Sequence, residues 1–129
     1  MTSILDRSIP DIARLISQGE ASAEEVTRLA LERIERRNEL YGAFLTVQAE
    51  RALDDARAID AKRARRERLG ALAGVPIGIK DALCTRDAPT TAGSNILTRA
   101  PRSGEPERDP QRPAFTVPPL IFTLEFQRA

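Results

Sequence analysis

The sequence predicts an α/β chain in which helices come first and short strands follow, and three observations predict it. Ser8 and Ser22 each precede an acid-bearing turn and an apolar pattern of helical period. The apolar fraction of 41% leans on alanine and only 4% is aromatic, which favours helices packed through small side chains. From Leu72 to Ile79 the chain is apolar but broken by Gly74, Pro76 and Gly78, which oppose a helix and allow an edge or irregular strand. At 129 residues the chain holds one ordinary domain at most.

Taken in order, Ser8-Ile9-Pro10-Asp11 reads as a helix start, with serine as N-cap, proline in the first turn and an acid three residues on. Ile9, Ile12, Leu15 and Ile16 then share one face, and Gly19 ends the helix. Ser22-Ala23-Glu24-Glu25 is a full capping box. Val26, Leu29, Ala30 and Ile34 continue at helical spacing until Arg36-Arg37-Asn38. Tyr41 to Val47 is aromatic and β-branched but too short for a helix, so it reads as a strand or extended link. A third helix is expected from about Gln48 to Arg68 on an apolar stripe of Ala49, Ala52, Leu53, Ala56 and Ile59, closed by Gly70. Cys84 to Asn95 carries turn chemistry and reads as a loop.

The tail differs in composition. Six of the nine prolines fall between Pro101 and Ala129, so a disordered linker is expected there, ending in a sticky segment, Pro118 to Phe126, able to make one strand. The expected organisation is residues 1–100 as one folded portion and 101–129 as a Pro-rich, disordered or aberrant tail.

Composition also limits the chemistry. Twenty basic and nineteen acidic residues nearly cancel, so no global field marks a nucleic-acid or membrane-surface protein. One cysteine, Cys84, forms no internal disulfide, and neither a leader peptide nor a membrane-spanning run is seen, which makes the cytoplasm the expected compartment. There is no histidine. An imidazole-activated serine or cysteine nucleophile and the usual zinc hydrolase centre therefore cannot be built from this chain. Acid-base chemistry near neutral pH would fall to a carboxylate, a tyrosine, the cysteine or a perturbed lysine.

Lys80 stands at the end of Gly74-Val75-Pro76-Ile77-Gly78-Ile79-Lys80-Asp81, an apolar run that reads as a buried strand. Partial desolvation of an ammonium lowers its pKa toward the range in which a neutral amine accepts a proton, and such a lysine can replace histidine as the base for a serine. The competing reading is a structural lysine that snorkels to water or pairs with Asp81.

Leu72 to Leu97, LAGVPIGIKDALCTRDAPTTAGSNIL, resembles the amidase signature family, and within it the branch that serves tRNA-dependent amidotransferases. Gly74, Val75, Pro76, Ile79, Lys80, Asp81, Thr90, Thr91, Ser94, Ile96 and Leu97 stand where the family pattern asks. The helix from Ser22 and the Ala43-Phe44-Leu45 link are similar to the family's N-terminal portion, so the resemblance covers about residues 4 to 100. It implies the first helices and strands of a mixed sheet surrounded by helices, and a Ser-cisSer-Lys amidase. In such an enzyme the lysine relays a proton through a cis-peptide serine to a nucleophilic serine, and the role falls on Lys80. It also implies glutamine as substrate, ammonia passed to other subunits of a heterotrimeric complex, and misacylated tRNA as the indirect target. ATP and magnesium would serve a partner subunit, with no cofactor or metal held by this chain.

The departures carry equal weight. The family's two serines lie well downstream of the lysine in glycine- and serine-rich segments. Here only Ser94 and Ser103 follow Lys80, and neither lies in such a segment, so the nucleophile and the cis-serine are missing. A truncated, inactive product is expected, whose strand would lack neighbours and leave backbone groups unpaired. The alternatives are a general amidase of the same family acting on another amide and a non-enzymatic helical interaction module. Four smaller features each admit two readings. Lys62 to Arg68 could touch phosphates, or could be a solvated last turn whose cations suit the helix dipole. Cys84 could be a nucleophile or a small packed side chain, Asp81 an active-site or a loop-fixing residue, and Ser94 a pocket or a turn residue.

Overall fold

Serine hydroxyls open each of the first three helical segments of the computed structural model, which describes residues 3–81 and, as backbone, residues 121–124. Ser3 Oγ accepts the Leu5 N–H at 3.3 Å, and the Asp6 carboxylate accepts the Ser3 N–H at 3.2 Å. This closes a single 3-10 turn, Ile4–Asp6, that the sequence did not announce. Helix α1 (Ile9–Gln18) starts at Ser8, whose Oγ accepts the Asp11 N–H at 3.3 Å. It ends in a Schellman motif: Gly19 sits at φ +81, its N–H reaches Ile16 O, and the Glu20 N–H reaches Leu15 O. Ile12, Leu15 and Ile16 are buried as expected. Ile9, expected on the same face, is 56% exposed. At the first helical position its side chain leans toward the N-terminus, beyond the layer that covers its neighbours.

Helix α2 (Ala23–Tyr41) begins where Ser22 Oγ accepts the Glu25 N–H at 2.9 Å, and it runs past the Arg36–Asn38 end that the sequence suggests. Gly42, at φ +57, terminates it. Asn38 plays a different part, in that its amide brackets the Phe44 backbone, Nδ2 donating to Phe44 O at 2.9 Å and Oδ1 accepting the Phe44 N–H at 2.7 Å. The side chain thus seats strand β1 (Phe44–Val47) against the helix instead of breaking it.

Helix α3 (Ala49–Ala64) stops short of the predicted Arg68 and does not use Gly70. Its end is a Schellman motif built on Arg66 at φ +59, with Arg66 N–H to Arg63 O at 2.8 Å and Glu67 N–H to Lys62 O at 3.0 Å. Ala52, Ala56 and Ile59 are buried against Ile16, Ala23 and Val26, so α2 and α3 meet through small side chains. After α3 the chain crosses the α1–α2 junction at Gly74. That residue has φ +82, and a Cβ there would lie 2.8 Å from Ala23 Cβ, so the close approach requires glycine. Val75 joins the core, and strand β2 (Ile77–Lys80) follows.

The sheet has the order β1-β3-β2, where β3 is Ile121–Leu124. β3 runs antiparallel to β1, with Phe44 opposite Leu124 and Val47 opposite Phe122, and parallel to β2, with Ile77 beside Ile121 and Lys80 beside Leu124. β2 therefore has a neighbour, contrary to the expectation of an unpaired strand, because the segment within Pro118–Phe126 supplies one. The rest of the 101–129 tail and the Cys84–Asn95 loop lie outside the described residues.

Candidate active site

The helical layer that precedes β2 is tied together by two side chains of α3. Asp60 accepts the Ala23 N–H at 2.9 Å and the Glu24 N–H at 3.1 Å, so with Ser22 it satisfies the first three free donors of α2. Arg63 donates through Nη1 to Ile16 O at 3.1 Å and to Ala21 O at 3.0 Å, and lies 3.7 Å from Asp60 Oδ1. One turn of α3 thus supplies an acid to the positive start of α2 and a cation to carbonyls of the α1–α2 turn. Neither role has a local signature, because the partners are remote in sequence. Arg63 belongs to the Lys62–Arg68 cluster, and Arg65 pairs with Glu67 at 2.6 Å, so the cluster is not one uniform basic patch.

At the other end of the layer, Arg33 pairs with Asp6 at 2.9 Å and fixes the N-terminal 3-10 turn on α2. The hydrogen bond from Arg33, reinforced by its charge, holds the Asp6 carboxyl below its ordinary value.

Along β2 the side chains alternate. Ile79 is buried and Lys80 is exposed, while Asp81, just past the strand, is only 2% exposed. The expectation of a partly desolvated Lys80 is corrected among the described residues: the period of two puts the buried Ile79 and the exposed Lys80 on opposite faces of the strand. Asp81 is the charged residue that goes inside. Lys80 still stands at the C-terminal end of a parallel strand, the side of an open α/β sheet on which ligand crevices form.

A cavity of about 420 Å³ opens between the second half of α2 and the strands, bounded by Ile34, Arg37, Tyr41, Phe44, Pro76 and Gly78. Pro76 and Gly78 share strand parity with Lys80. Cys84, Ser94 and Ser103 lie outside the described residues, so of the sequence candidates only Lys80, Asp81 and the Lys62–Arg68 cluster have a described position. Among the described residues no helix is long and apolar enough to cross a membrane.

Comparison with known proteins adds what the geometry alone does not give. The family model for amidases matches residues 25–105. The A subunit of glutamyl-tRNA(Gln) amidotransferase from Salinispora arenicola is 52% identical over 97 residues, 75% of this chain and 20% of that protein. Its namesake from Nostoc punctiforme is 51% identical over 90 residues, 70% of this chain and 18% of that protein. Among solved structures, a component of a vestigial complex tied to the origin of an s-triazine catabolic enzyme has a TM-score of 0.70 at 37% identity, covering 74% of this chain and 21% of its own. A bacterial aryl acylamidase of the amidase signature family has a TM-score of 0.65 at 28% identity, over 67% of this chain and 18% of its own. The chain spans about a fifth of the length of the curated relatives it matches.

Proposed function

The chain belongs to the amidase signature family, and we propose that it is the N-terminal portion of a Ser-cisSer-Lys amidase of the glutamine-dependent amidotransferase type, with Lys80 as its proton relay. The observation that carries this reading is the position of Lys80 at the C-terminal end of β2, the strand of the GVPIGIKD segment, in a chain that is 52% identical over 97 residues to an amidotransferase A subunit. In this scheme the neutral amine takes a proton, through a cis-peptide serine, from the nucleophilic serine as that hydroxyl attacks the glutamine amide carbon. The same proton is returned to the departing nitrogen, so ammonia leaves and an acyl-enzyme remains for water to resolve.

The amine accepts a proton only when it is uncharged, and burial favours that form. Lys80 is exposed on its face of β2, so the reading assigns its burial to polypeptide that covers this face and carries the two serines. Residues 81–129 hold only Ser94 and Ser103, and this chain alone is accordingly inactive. The ammonia would pass to the other subunits of a heterotrimeric tRNA amidotransferase in the cytoplasm, where a partner subunit uses ATP and magnesium and misacylated tRNA is the final acceptor. Identity near 50% to amidotransferase subunits, against 28% to the aryl acylamidase, favours glutamine over another amide.

Ammonia release from glutamine tests the proposal. The purified chain should release none, with or without Lys80→Ala. A chimera joining residues 1–100 to the downstream part of an amidotransferase A subunit should be active, and Lys80→Ala in it should cost about 10²–10⁴ in rate. Activity of the isolated chain that depends on Lys80 would contradict the proposal.

A further inference from the structure

β1 and β2 do not pair with each other, because β3 lies between them. Neighbouring strands are about 4.8 Å apart, so β1 and β2 stand roughly 9.6 Å apart and cannot share a hydrogen bond. The strand between them serves two ladders, antiparallel on one side and parallel on the other. β1 and β2 both fall within residues 25–105, the part matched by the amidase family model, whereas β3 falls outside it. The element that joins two family strands is thus drawn from sequence that the family does not match. Ile121-Phe122-Thr123-Leu124 is rich in strand-forming residues, contains no proline, and follows Pro118-Pro119 closely.

We propose that the gap between β1 and β2 is a strand-acceptor site, filled in this chain by its own segment Ile121–Leu124, and that it takes an extended apolar peptide by main-chain pairing on both sides. Recognition of this kind draws its affinity from backbone hydrogen bonds, and a slot flanked by two strands offers twice the ladder of an ordinary sheet edge. The buried cluster of the helical layer is built among the described residues from α1, α2, α3, Ala21 and Val75, so the slot can empty while the helices stay packed. The occupant also borders the proposed relay residue, since Leu124 is in register with Lys80. The inference goes beyond the amidase reading and does not depend on it.

Hydrogen exchange on the full chain tests it, comparing the natural protein with Phe122→Pro and Thr123→Pro. A proline within a central strand removes a ladder donor. The amides of residues 45–47 and 77–80 that pair with β3 should exchange at least about tenfold faster in the variants, while the Phe44 amide, held by Asn38, and those of α1, α2 and α3 keep their protection. A synthetic peptide of residues 118–126, added to either variant, should restore strand protection in a saturable way, and a scrambled peptide should not. Unchanged exchange in β1 and β2, no rescue by the peptide, equal rescue by the scrambled peptide, or simultaneous loss of protection in the helices would each overturn the proposal.

Discussion

Thr27 is fully buried in α2, and among the described residues its hydroxyl has no hydrogen-bond partner. An orphaned buried hydroxyl opposes folding, so Thr27→Val should raise stability by about 1 kcal/mol in urea unfolding. A loss of stability would mean that Oγ1 has a partner after all. Asp6 makes a second residue-level prediction. Its folded pKa lies below the unfolded value because Arg33 favours the carboxylate. The contribution of the pair is therefore present above the unfolded pKa and is lost as pH falls through the lower folded value. Titration followed by NMR should give Asp6 a midpoint below the usual carboxylate range, and Arg33→Gln should move it upward. An unmoved midpoint would remove Arg33 as the cause. Asp6 and Arg33 are both substantially exposed, so added salt should weaken the effect.

Element boundaries were legible where the signal is local. Ser8, Ser22 and Gly19 set the ends of α1 and the start of α2 as their residue types suggest, since a cap bonds within its own turn. Asn38 misled because an amide that often ends a helix bonds forward to Phe44 instead, and α3 ended early on an arginine in a conformation that usually marks glycine. Asp60 and Arg63 were illegible for another reason: their partners are backbone groups of α2 and of the α1–α2 turn, brought near only by folding. Asp60→Ala removes two bonds to N–H groups of α2 and should cost about 1–3 kcal/mol, measured by denaturant unfolding. Asp60→Asn should recover part of that cost, because its carboxamide still offers one acceptor. No loss in the alanine variant would show that water serves those donors equally well.

Across the whole molecule, the helical layer was readable from period and caps, and the β2 segment from its glycine, proline and apolar pattern. The surroundings of Lys80 were not. A run of apolar residues ending in lysine suggests burial, yet whether both faces of a strand are covered depends on polypeptide packed against them, which local pattern does not specify. The structure gives β2 one buried face, and the matched relatives are about five times the length of the segment they share with this chain. On the proposed reading, Lys80 is therefore a base whose setting is completed by further polypeptide of the family. Glutaminase activity of the chimera bearing Lys80→Arg tests that claim most directly, because a guanidinium keeps the positive charge but does not give up its proton in proteins. A loss as large as that of the alanine variant is expected; retention of substantial activity by arginine would mean that Lys80 supplies charge and not a lone pair, and would contradict the claim.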